Sequence, residues 1–152
     1  MIQRIQTIFL AASLCFLIPM FFAPVAELIS KTGELFSFHL TGFYRVEAEV
    51  ITSFSSRLFI MIFGILICAM NLIIIFMYRK RILQIRLCIA NILLLIVLSG
   101  IVLFVLFSEQ NIQSLSFNLP AVFPVISIIL HFLAIRRIRK DDLLVQSLNR
   151  LR

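Results

Sequence analysis

Four polar side chains set within the apolar stretches of this 152-residue sequence have types that could do chemistry: Asn71, Asn91, Ser127 and His131. An ionisable group at membrane depth is a functional hypothesis by default. His131 is the one such group, with Ser127 one helical turn before it. It lies five residues before Arg136, about 7 Å from the end of its apolar run at helical rise. That shallow depth favours an interhelical hydrogen bond over a proton relay. Asn71 and Asn91 each follow a cysteine by three residues, Cys68 and Cys88, so each pair shares a helix face. Across a tight hairpin the two asparagines are expected to meet and bond, a contact worth about 0.6 to 2 kcal/mol in a membrane. Cys15, Cys68 and Cys88 form no CxxC pair, which excludes a membrane dithiol oxidoreductase. Two of them with His131 do not make a metal set, since no carboxylate and no ligand spacing accompany them. No cofactor motif is present, and no nucleophile–base pair or paired carboxylates share one depth, so no enzyme is expected.

These groups are positioned by uncharged runs. Of the residues 62% are hydrophobic and 14% charged, against about 25% charged in a soluble domain. Ile5–Ala26 and Leu87–Ser108 are 22 residues without a charge, Leu58–Tyr78 is 21, and the last 17 residues before Arg136, Leu119–Ile135, are almost wholly apolar. About 20 apolar residues cross the hydrocarbon layer, and unpaired backbone groups cannot stay in lipid, so each run must be helical. Buried helices of a soluble bundle would keep a polar stripe, which the second run, LFIMIFGILICAMNLIIIFMY, lacks. The fold class expected is an all-α membrane protein, a bundle of four transmembrane helices over about 5–25, 58–78, 87–107 and 119–135, in one membrane domain covering 1–152.

Charge placement orients the bundle. Arg4, the loop 79–86 (Arg79, Lys80, Arg81, Arg86) and the tail 136–152 (Arg136, Arg137, Arg139, Lys140, Arg150, Arg152) place eleven basic groups on one side, against Asp141 and Asp142. Lys31, Arg45 and Arg57 face five glutamates on the other. The basic side is therefore expected in the cytoplasm, and an even number of spans puts both termini there. The basic groups suit anionic lipid headgroups, each worth about 1 kcal/mol near the surface. They form no soluble basic face for nucleic acid.

Punctuation refines the outline. Pro19 should kink span one and Pro24 should mark its outer end. Arg4 and the run after it resemble a signal peptide, but the run is long and lacks a small-x-small ending, so it reads as a retained span. In the outer loop 27–56, Lys31–Glu34 and Thr41–Gly42 read as turns, and LFSFHL alternates modestly; a short β-hairpin on the outer face is the expectation, a plain loop its competitor. The outer loop 108–118 reads as a polar connection. Leu144, Leu148 and Leu151 share a face, so the tail is either a basic segment lying on the membrane or a plain extension of span four. Gly64-x-x-x-Cys68 and Ala11-x-x-x-Cys15 offer small-residue contacts between helices.

The segments RKRILQIRLCIANILL (Arg79–Leu94) and FLAIRRIRKDDLLVQSLNRLR (Phe132–Arg152), with the opening MIQRIQTIFL (Met1–Leu10), resemble a bacterial family, domain of unknown function 4293. The resemblance covers essentially the whole chain and is most specific in the tail. It implies a four-span inner-membrane protein and carries no activity with it.

Two functional readings follow. In the first, the basic loop and tail contact anionic lipid or a membrane-protein partner. In the second, Asn71, Asn91, Ser127 and His131 line a small transporter or channel built as a homo-oligomer, because four thin spans cannot easily enclose a pore alone.

Overall fold

The computed structural model describes residues 3–31, 33–47, 50–56, 58–77, 80–108 and 112–150, and the side chains of 6–31, 33–45, 58–77, 80–108 and 112–140. Helix α1 covers Gln3–Leu17 and passes into a 3-10 turn at Ile18–Phe21. Strands β1 (Ala26–Ser30), β2 (Leu35–His39), β3 (Gly42–Glu47) and β4 (Val50–Ser56) follow. Helices α2 (Leu58–Phe76) and α3 (Arg81–Ser108) then form a hairpin. Strand β5 (Ile112–Phe117) and a 3-10 turn at Leu119–Val122 lead into α4 (Phe123–Arg150).

The chain is mostly helical but not all-α. Where a short hairpin was expected there are four strands, and the segment read as a plain polar connection supplies a fifth. Together they form an antiparallel sheet in the order β4-β3-β2-β1-β5. In β1 the physical cause is a two-residue alternation: Ala26, Leu28 and Ser30 are buried while Glu27 and Ile29 are exposed. Gly33, at φ 83°, closes the β1–β2 turn with its N–H on the Ser30 carbonyl at 2.9 Å. Leu40 and Thr41 form the two-residue turn into β3, where His39 pairs with Gly42 at φ 146°. The β1–β5 ladder, with Leu28 opposite Leu115, ties the α1–α2 connection to the α3–α4 connection.

Among the described residues three helical stretches are long and apolar enough to cross a membrane: Leu58–Phe76, Arg81–Ser108 and Leu119–Lys140; the apolar part of the first helix, Gln6–Phe21, is shorter. The α-helical part of the first expected span ends at Leu17 rather than near residue 25. Pro19 has no N–H for an α-helical bond, and the Phe22 and Ala23 amides turn back onto its carbonyl. At the other end of the hairpin, the expected loop 79–86 is mostly the first turns of α3, with the Lys80 amide on the Met77 carbonyl at 3.1 Å. Arginine and lysine are good helix formers, so basic residues do not end a helix. The tail continues α4 without a break to Arg150.

The four helices close a ring: α1 packs on α2 and α4, and α3 packs on α2 and α4. Their buried positions alternate in steps of four and three: Gln6, Leu10, Ser13, Leu17 and Met20 in the first; Ile60, Gly64, Ile67, Asn71 and Ile74 in α2; Gln84, Cys88, Asn91, Leu95 and Leu98 in α3. That is the heptad step of gently left-handed supercoiled helices. Two apolar clusters result. One joins the inner sheet face (Val25, Ala26, Leu28, Phe38, Leu40, Phe43) to Leu17, Ile67, Leu95, Val102 and Leu106. The smaller one, toward the basic end, holds Leu10, Ile74, Cys88, Ala134, Ile135 and Ile138.

Candidate functional site

Each helix carries a polar residue one turn from each of these clusters: Ser13 between Leu10 and Leu17, Asn71 between Ile67 and Ile74, Asn91 between Cys88 and Leu95, and Ser127 with His131 ahead of Ala134. All five side chains are fully buried, at 0% exposure. The same heptad step that buries the leucines brings them to one level of the ring.

They form one hydrogen-bond chain that visits all four helices. Asn71 Nδ2 donates to Ser13 Oγ at 2.8 Å, and that hydroxyl donates to the Leu10 carbonyl at 2.8 Å. Ser127 Oγ donates to the Ser13 carbonyl at 3.2 Å, joining α4 to α1. His131 Nδ1 lies 2.8 Å from the Ser127 carbonyl, and Asn91 Nδ2 lies 2.9 Å from His131 Nε2. A carbonyl only accepts, so Nδ1 carries the ring proton of the neutral imidazole and Nε2 offers its lone pair to Asn91. Two amide oxygens in the layer, Asn71 Oδ1 and Asn91 Oδ1, are buried without a hydrogen-bond partner among the described residues. In a buried setting each costs about 1 to 3 kcal/mol unless a donor reaches it.

The two asparagines therefore do not bond each other. Each turns to a helix that the hairpin argument did not consider, Asn71 to α1 and Asn91 to α4. Ser13 was missed altogether, as were Gln6 and Gln84, although Gln84 is buried and its Nε2 reaches the Ile74 carbonyl at 3.2 Å. The usable signal was the four–three step linking polar residues to buried apolar ones. Asn71, Asn91, Ser127 and His131 are all buried within the ring of one chain.

The basic residues lie elsewhere. Arg136, Arg137, Arg139 and Lys140 are exposed on α4 around the buried Ile138, with the Arg136 guanidinium 6.0 Å from the Phe132 ring. Lys80 and Arg86 are exposed and Arg81 is half-buried. Arg79 falls outside the described residues. At the sheet end, Arg45 pairs with Glu34 at 2.9 Å and covers the Phe36 ring. Asn118 Nδ2 donates to Glu27 at 3.0 Å, fastening the strand that enters α4 to β1. His39 sits edge-on to Tyr44, and burial pushes its imidazole below its ordinary range.

The cysteines are all free: Cys15 exposed, Cys68 half-buried, Cys88 buried. Among the described residues no group of three or more His, Cys, Asp or Glu side chains is placed to hold a metal ion. What the layer can do is join helices and exchange hydrogen-bond donors for acceptors.

No curated protein matches the chain. A family pattern described as Domain of unknown function (DUF4293) matches residues 2–151, nearly the whole sequence from the opening helix through the basic tail, and the chain belongs to that family.

Proposed function

We propose that the chain is a four-span inner-membrane protein with both termini in the cytoplasm, acting through contacts of its basic connection and tail with anionic lipid headgroups or the acidic face of a membrane-protein partner. The observation that carries this reading is the run of α4 past its apolar part, which presents Arg136, Arg137, Arg139 and Lys140 to solvent on a continuous helix. Lys80 and Arg86 add charge at the same end of the α2–α3 hairpin. Exposed Ile62, Leu66, Ile73, Leu93, Phe104, Ile129 and Phe132 coat the outside of the helices, a surface suited to acyl chains and far larger than a soluble monomer leaves open. The first helix is the shortest apolar one, and its Arg4 holds the N-terminus on the basic side.

The test is crosslinking in cells from the α4 tail, comparing the native chain with one carrying R136Q, R137Q, R139Q and K140Q. Capture should be lost while membrane insertion is kept. Unchanged capture, or a reporter fused after Arg152 that is exported, removes the reading. A competing reading, a small oligomeric transporter or channel lined by Asn71, Asn91, Ser127 and His131, draws on their shared polar layer. It predicts flux in proteoliposomes that disappears when these four are replaced.

A further inference from the structure

His131 is fully buried, yet both its ring nitrogens are engaged by groups of opposite capability. The Ser127 carbonyl beside Nδ1 can only accept. The Asn91 carboxamide beside Nε2 carries a donor and an acceptor on one rotatable bond. In the neutral ring, Asn91 Nδ2 donates to Nε2 and Asn91 Oδ1 is left without a partner. Protonation at Nε2 would set two donors against each other. A half-turn about the Asn91 Cβ–Cγ bond removes the conflict, because Oδ1 then accepts from Nε2–H while the Nδ1 bond to Ser127 stays. Such terminal rotations are broad and two-fold.

We propose that His131 and Asn91 form a reversible proton-binding site at the centre of the helix ring, with the Asn91 carboxamide rotating to match either charge state. The helices need not separate for the proton to be held. The surroundings do not supply the charge instead. On α3, Cys88 is one turn from Asn91 and Arg86 is exposed beyond it; on α1, Cys15 is exposed; on α2, Cys68 is half-buried. On α4 itself Arg136 and Arg137 are exposed, five and six residues along. No Asp, Glu or Lys lies between Leu87 and Ser108 or between Leu119 and Ile135. Asn91 is therefore the one side chain in contact with Nε2 that can turn from donor to acceptor.

The chain has two histidines, so a His39→Asn background leaves His131 as a single nitrogen-15 reporter in lipid nanodiscs. At high pH the ring should show the Nδ1–H tautomer. On acidification it should become the imidazolium reversibly, with helical circular dichroism retained. Asn91→Leu should lower its proton affinity about tenfold or more, and Asn91→Asp should raise it. An Nε2–H tautomer at high pH would overturn the proposal. So would a ring that stays neutral until the helices unfold, or an Asn91→Leu midpoint equal to the native one. If Asn91→Leu does not fold, the tautomer and the Asn91→Asp shift decide alone.

Discussion

The two ends of the helix ring are held by different physics. At the sheet end, Phe38, Leu40, Leu28 and Phe43 pack with Leu17, Ile67, Leu95 and Leu106 in one broad apolar cluster. Toward the basic end the apolar cluster is small, and a layer of hydrogen bonds stands between the two. In the lipid setting proposed above, apolar side chains gain little by leaving acyl chains for each other, so packing alone would choose partners weakly. The sheet end solves this with a strand ladder. The basic half solves it with donors and acceptors that meet only in one helix arrangement, as a buried asparagine fixes register in coiled coils. The difference teaches that stability and partner choice are divided along the molecule.

The largest expected effect breaks the apolar side of that division. Phe38→Ala removes a fully buried ring that touches Phe43 at 4.8 Å between centroids, and should cost about 3 to 5 kcal/mol in denaturant titration of the micellar protein. A loss under 1 kcal/mol would mean the sheet is an ornament on the helices. Gly64→Ala comes next: an added methyl group would meet the ends of the Phe21 and Leu40 side chains at 3.1 and 3.2 Å, so crowding there works against the roughly 1 kcal/mol that alanine gains in a helix, and this variant should be less stable than its control. Gly100→Ala, with nothing within 4 Å, is the matched control and should be neutral or slightly stabilising.

The polar layer should respond less in stability and more in specificity. Asn71→Ala is expected to cost about 0.6 to 2 kcal/mol, and a double-mutant cycle with Ser13→Ala should show coupling, whereas a cycle with the distant Phe38→Ala should be additive. Coupling to Phe38 as strong as to Ser13 would erase the distinction between the two ends. The smallest effect is a pH dependence at the sheet end. Burial pushes the His39 imidazole below its ordinary range in the folded chain, so the unfolded state takes up its proton first. Its contribution is fully present above the ordinary histidine pKa of about 6.5 and is lost as pH falls through that value toward the depressed one. Replacing His39 with asparagine should flatten that part of the stability–pH curve.

Much of this was legible in the sequence, for identifiable reasons. Uncharged runs located three long helices because lipid and buried helix share a requirement that no charge intervene. Asn71, Asn91, Ser127 and His131 stood out against apolar neighbours. Their partners did not, because hydrogen bonds across a ring depend on which helices touch, and α1 meeting α4 is not written in any one span. The sheet was under-read for a related reason. The strand IQSLSF shows no two-residue alternation, only Ile112 and Leu115 being half-buried; its partner β1 lies more than eighty residues away, and Ser114 and Ser116 disguise an edge strand as a loop. The early end of α1 was visible in Pro19 but was read as a kink, since the apolar run continues past it.

The β1–β5 ladder has a mechanical consequence. It straps the α1–α2 connection to the α3–α4 connection, while at the opposite end, among the described residues, no strand ladder joins the helices. Any breathing of the ring is therefore expected to hinge at the sheet and open widest at the basic end, like tweezers. Amide hydrogen exchange should run faster in the first turns of α3 and in α4 beyond Ile138 than anywhere near Leu28 and Leu115. The hydrogen bonds from Asn71 and Asn91 act as the clasp on that motion.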